Sequence, residues 1–210
     1  MPTDRQAMLD TMARMQEAHN LQVHPDWRTK RYEYYRAIWI ECAELLDHFG
    51  WKWWKRQDPD LAQVKLELVD IWHFGLSELL RADAVEPQLA VTLDVQPSED
   101  PGPEGLRQAV EALANACLAS QGFSVERFAG VMRALPMTFD ELFRLYVGKN
   151  VLNGFRQDHG YKDGTYRKAW AGREDNEHLM ELLDGVEEPA TAAEDLYAKL
   201  EARYRETAAR

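Results

Sequence analysis

The chain has 210 residues, 45% of them hydrophobic, which supports one well-buried core but not two large independent domains. With 36 acidic residues against 25 basic ones, the net charge of -11 would repel a polyanion over most of the surface and argues against nucleic-acid binding. Cys42 and Cys117 are too few and too isolated for a zinc site or disulfide framework. No stretch reaches the roughly 18 to 20 apolar residues of a membrane span, and the charged, amphipathic N-terminus lacks a signal-peptide core, so a soluble cytoplasmic protein is expected.

In chain order, amphipathic spacing predicts a first helix over Asp4 to His19, broken near Pro25. Two long helices follow, Thr29 to Phe49 and Asp60 to Leu80, joined by an aromatic corner that starts at Gly50. Four prolines among acids make 83–105 a predicted loop and hinge. Helical patterning resumes over Glu104 to Ser120, Ser124 to Ala134 and Thr138 to Gln157. A glycine-punctuated segment then leads to helices at Asp175 to Leu183 and Ala192 to Ala208, the latter in a C-terminal tail, 184–210. No segment alternates like a strand, so the fold class is all-α, with 1–210 read as a single domain.

The sharpest anomaly is four acids in an apolar seam. Glu41 and Glu44 share one face of the first long helix; Glu67 and Asp70 share one face of the second, each pair at i, i+3. Taken singly, each could be a carboxylate reaching solvent from the edge of a stripe. Together they would repel and lose hydration, which calls for a cation between them. Oxygen-only ligands suit Mg²⁺ and phosphoryl chemistry. A di-iron bundle would need Glu-x-x-His on two helices, and the nearest match, Asp70 to His73, occurs on one.

The runs RAIWIECAELLDHFGWKWWK from Arg36, QVKLELVDIWHFGLS from Gln63 and KNVLNGFRQDHGYKDGTYRKAWAGREDNEHL from Lys149 resemble the signature blocks of dimeric dUTPases, within the all-α nucleoside triphosphate pyrophosphatases. The resemblance implies a helical bundle with a rigid core and a smaller mobile helical part. It also implies a homodimer and hydrolysis of dUTP, with dUDP as a further substrate, to dUMP. Glu41, Glu44, Glu67 and Asp70 would hold more than one Mg²⁺. Glu44 matches the position that orients or deprotonates the attacking water, with Glu41 beside it; by chemistry alone any of the four acids could be the base.

Beyond the acids, an apolar stripe from Leu142 continues as Lys149, Asn153 and Arg156, followed by Tyr161, Lys162 and Tyr166 in a glycine-bearing loop. On composition this is a solvated, dipole-favoured helix end; by resemblance it is the phosphate-contacting segment. Gln16 and Asn20, at i, i+4, offer amides suited to a uracil edge, or are polar residues of an exposed first helix. The family places an apolar residue before the Asn, where this chain has His19. Trp51, Trp53 and Trp54 read as core or interface, with Trp53 a candidate for the nucleotide pocket. His73 and Phe74 are candidates for the wall against the deoxyribose. A pyrophosphatase for another nucleotide such as dCTP, or a helical regulator without catalysis, are the competing functions.

Overall fold

A computed structural model describes residues 4–98, 102–183 and 193–208. The chain divides into two compact units, Met1–Phe143 and Arg144–Arg210. The first holds α1 (Asp4–Val23), a 3-10 turn (Trp27–Thr29), α2 (Tyr34–Phe49), α3 (Leu61–Arg81), α4 (Pro87–Leu93), α5 (Gly102–Ser120) and α6 (Val125–Ala134). Helix α7 (Phe139–Asp158) begins in the first unit and continues into the second. There it is followed by β1 (Ala169–Trp170), β2 (Arg173–Glu174), α8 (Asp175–Leu183) and α9 (Ala193–Ala208).

Helix α2 buries Ile38, Cys42 and Leu45, one stripe at i, i+4, i+7. It starts five residues later than its apolar spacing suggested, because Trp27 is buried in a 3-10 turn and Lys30 is extended beyond it. Gly50 stops α2 with a φ of 94°, open to glycine at no steric cost, while its N–H still reaches the Leu46 carbonyl. Asp60 caps α3 by accepting from the Gln63 N–H at 3.2 Å, and its own N–H donates to the His48 carbonyl at 3.0 Å. This closes the corner and sends α3 back antiparallel to α2.

Helix α3 is the axis of this unit. It packs on α1 and α2, and its buried residues run nearly all round it, from Val64 to Ser77. Trp72 stacks on Phe128 of α6 with centroids 5.3 Å apart. At Gly75 the Phe123 ring comes so close that a Cβ would lie 2.6 Å from it, which is why this turn of the helix carries no side chain.

The predicted loop over 83–105 is partly helical. Pro87 opens α4 at its first turn, where a missing N–H costs nothing, and Ala90 and Leu93 bury its inner face. The boundary between the two units falls inside α7, not in this segment.

In the second unit a two-residue hairpin pairs Ala169 with Glu174 and Trp170 with Arg173, too short to leave a strand-like alternation in the sequence. Trp170 is fully buried, flanked by Phe155 and stacked on His178. Of the predicted tail, α9 covers Ala193–Ala208, while 184–192 lie outside the described residues. The class is all-α, and no helix among the described residues is long and apolar enough to cross a membrane.

Candidate functional site: a carboxylate seam beside a buried amide network

Antiparallel pairing of α2 and α3 brings Glu41 against Glu67 and Asp70. One carboxylate oxygen from each lies within 4.8 Å of the others. Glu67 is buried, and His48 Nε2 approaches its Oε1 at 3.5 Å. Burial, then the charge of Asp70, then a hydrogen bond and the charge of Glu67, raise the Glu41 pKa well above the carboxylate range. Glu41 therefore keeps its proton and donates it towards Glu67 when nothing else neutralises the cluster.

Glu44, one turn further along α2, is exposed and lies outside this tight group, yet its charge also pushes on Glu41. Three converging hard oxygens on two rigid helices fit a divalent cation: the donors match such an ion, and the proton they now share is what its charge would replace.

One to three turns along α3 the seam changes character. Gln16, Asn20, His73 and Ser77 are all at least nine-tenths buried. The His73 Nδ1 lies 2.7 Å from Gln16 Oε1, Gln16 Nε2 donates to Asn20 Oδ1 at 3.0 Å, and Asn20 Nδ2 donates to Ser77 Oγ at 3.1 Å. The two amides are thus not polar decoration on an exposed first helix.

His73 faces this amide pair, while Phe74 is half-buried beside Tyr34, ring centroids 6.4 Å apart. Tyr34 is itself drawn in: burial raises its phenol pKa, against the opposing effects of Arg81 and of a hydrogen bond with Ser77. Ser77 had drawn no notice in the sequence, where a lone serine in an apolar helix has no signature.

The basic stripe forms a second constellation, within Arg144–Arg210. Arg156 grips Asp175 with two nitrogens, both at 2.8 Å, and donates to Asn153 Oδ1 at 3.1 Å. Lys149, 1% exposed, donates to Asn176 at 2.9 Å, and the Tyr166 hydroxyl donates to Asp175 at 2.8 Å. Burial alone would raise the Asp175 pKa; Arg156, the Tyr166 hydroxyl and Lys149 outweigh it and hold the carboxyl below its ordinary value.

A solvated helix end is therefore excluded for Lys149 and Arg156. Tyr161 and Lys162 are exposed, with the Arg156 guanidinium 5.9 Å from the Tyr161 ring centroid. Asp175 and Asn176 escaped the sequence reading because an Asp-Asn pair opening a helix reads first as a cap.

At the corner after α2, Trp53 is 90% exposed and stands edge-on to Trp54, which stands edge-on to Trp51. With Phe49, Lys52 and Arg107 it borders an open cleft of about 500 Å³. These rings are not core of the first unit.

An all-helical frame that sets carboxylates of two adjoining helices in an apolar seam, with buried amides a turn away, has the build of a nucleotide hydrolase. The dUTPase family model matches residues 5–161, three-quarters of the chain, and the chain belongs to that family. Its activity is accordingly that of a dUTP diphosphatase. No curated protein matches it. The matched region includes the four acids, the amide network and the stripe from Lys149 to Arg156; Tyr166, Asp175 and Asn176 lie beyond it.

Proposed function

We propose that this dUTPase hydrolyses dUTP, and also dUDP, to dUMP with Mg²⁺ as its cation, and that Glu41, Glu44, Glu67 and Asp70 are its metal-binding residues. The observation that carries this reading is the convergence of Glu41, Glu67 and Asp70 within 4.8 Å at a point where the Glu41 proton is held far above its ordinary range. Magnesium there supplies positive charge against the phosphate chain.

Glu44 is the exposed acid of the four, outside the tight group, and so the one best placed to hold and deprotonate the attacking water. Glu41 would hold the cation as a carboxylate, its proton released to solvent. Gln16 and Asn20 face the uracil edge, and His73 and Phe74 line the nucleoside side, Phe74 offering an apolar wall that disfavours a ribose hydroxyl. Lys149, Asn153, Arg156, Tyr161, Lys162 and Tyr166 supply cations and hydroxyls for the phosphates. For Lys149 and Arg156 this means exchanging or sharing the contacts they make with Asn176 and Asp175.

A homodimer completes the molecule. Trp39, Ile40 and Leu61 are 38%, 42% and 51% exposed, and Trp53 is 90% exposed, an apolar set larger than isolated surface residues require. Trp53 is then a pocket or interface residue of the assembled enzyme.

The test is pyrophosphate release from dUTP, dCTP, dTTP and UTP with Mg²⁺, and from none of them with a chelator. Selective dUTP turnover that falls at least about 10²-fold in Glu44→Ala fits a general base acting on water. Turnover that survives the chelator, or an unaffected Glu44→Ala enzyme, refutes the metal and base assignments in turn.

A further inference from the structure

The contacts that link Ser77, Asn20, Gln16 and His73 between α1 and α3 can be followed as one chain of donors and acceptors. Ser77 has one hydroxyl proton, and its shortest contact is the His73 carbonyl one turn earlier, at 2.9 Å. With the proton spent there, Oγ can only accept, taking the Tyr34 hydroxyl on one lone pair and Asn20 on the other, so the end of the Asn20 amide at 3.1 Å must be the NH₂. Asn20 Oδ1, at a longer 3.3 Å from Ser77, is thereby turned to Gln16, whose Nε2 lies at 3.0 Å. Gln16 Oε1 is then left facing His73 Nδ1 at 2.7 Å, and that nitrogen must carry the ring proton.

The relay starts at the backbone of His73 and ends on its ring. No member can reverse without all the others reversing, because every amide and ring in it has distinct donor and acceptor ends.

We propose that Ser77 is a positioning residue for base choice: by anchoring this one-way relay, it fixes which ends of Asn20, Gln16 and His73 donate and which accept, and so selects uracil over cytosine. This rests on the reading that the amide network faces the base. Uracil presents acceptor, donor, acceptor along O2, N3–H and O4; cytosine reverses the last two, with an acceptor at N3 and an amino donor. A relay of fixed polarity complements one pattern and meets the other donor to donor, while a relay free to flip complements either. Ser77 is 2% exposed and touches no nucleotide in this scheme; it acts through Asn20.

The test uses full-length Ser77→Ala with two readouts. The ratio of kcat/KM for dUTP over dCTP is expected to fall by about tenfold or more, with KM for dUTP rising. Ring ¹⁵N shifts of His73, assigned by loss of signal in His73→Gln and read at mildly alkaline pH without nucleotide, should show the Nδ1–H tautomer in the parent and a mixture in the variant. A folded Ser77→Ala protein that keeps either the parental ratio or the single tautomer overturns the proposal. If alanine costs the fold, Ser77→Cys, nearly isosteric and a poor hydrogen-bond former, takes its place in both measurements, and an unchanged ratio or a single tautomer again overturns the proposal. A parent that ignores dUTP would refute the base reading, while the tautomer measurement, needing no substrate, would still test the relay.

Discussion

Glu41 shows how a single carboxyl reports on its site. Burial and the charges of Asp70 and Glu67 raise its folded pKa above the unfolded value, so between those two values the folded chain holds a proton that the unfolded chain has released. Its contribution to stability is therefore greatest below the unfolded pKa and declines as pH rises through that window. Without divalent cation, melting temperature should fall on going from mildly acidic to alkaline pH. Glu41→Gln, which cannot ionise, should flatten that decline while abolishing hydrolysis. Adding Mg²⁺ to the parent should raise its melting temperature most at the alkaline end, since binding displaces the proton. Melting curves across pH with chelator or Mg²⁺ check all three; an unchanged slope in Glu41→Gln would place the pH dependence elsewhere. At this scale the acids were legible because four carboxylates in an apolar stripe contradict their surroundings. Asp175 was not, since its meaning comes from Arg156, distant in sequence.

Among the elements, α3 carries most of the first unit's packing. Its neighbours crowd it closely enough that Gly75 is dictated by the ring of Phe123, not by backbone freedom. Gly75→Ala should destabilise the protein by about 1 to 3 kcal/mol despite alanine's better helix propensity, because the clash is with a packed ring. Urea denaturation measures it; a neutral or stabilising result would mean that Phe123 yields freely. The long helices were readable because a stripe at i, i+3, i+4 is a property of local sequence. Helix α4 was not, since Pro87 and its acidic neighbours resemble a loop until Ala90 and Leu93 find a core to bury in. The start of α2 was misplaced for the same kind of reason: Trp27 reaches its buried position through a 3-10 turn that apolar spacing cannot distinguish from a helix.

For the whole molecule, the exposed side chains of Trp39, Ile40, Trp53 and Leu61 bear on assembly. Sedimentation at micromolar concentration should give twice the 24.3 kDa of one chain, and replacing Trp53 with a charged residue should lower that mass if the corner belongs to the interface. A parent that sediments as a monomer refutes the dimer. The sequence by itself determined the helical class, the two long helices with their acids, and the family, because each depends on spacing within one segment or on blocks of contiguous residues. Only the tertiary structure decided that three acids of two helices converge while Glu44 stands apart. It alone showed that Gln16 and Asn20 lie buried in a relay with His73 and Ser77, and that Lys149 and Arg156 face Asn176 and Asp175. Hydrogen bonds and charge coupling act over a few ångströms between residues many positions apart, and no local pattern encodes those distances.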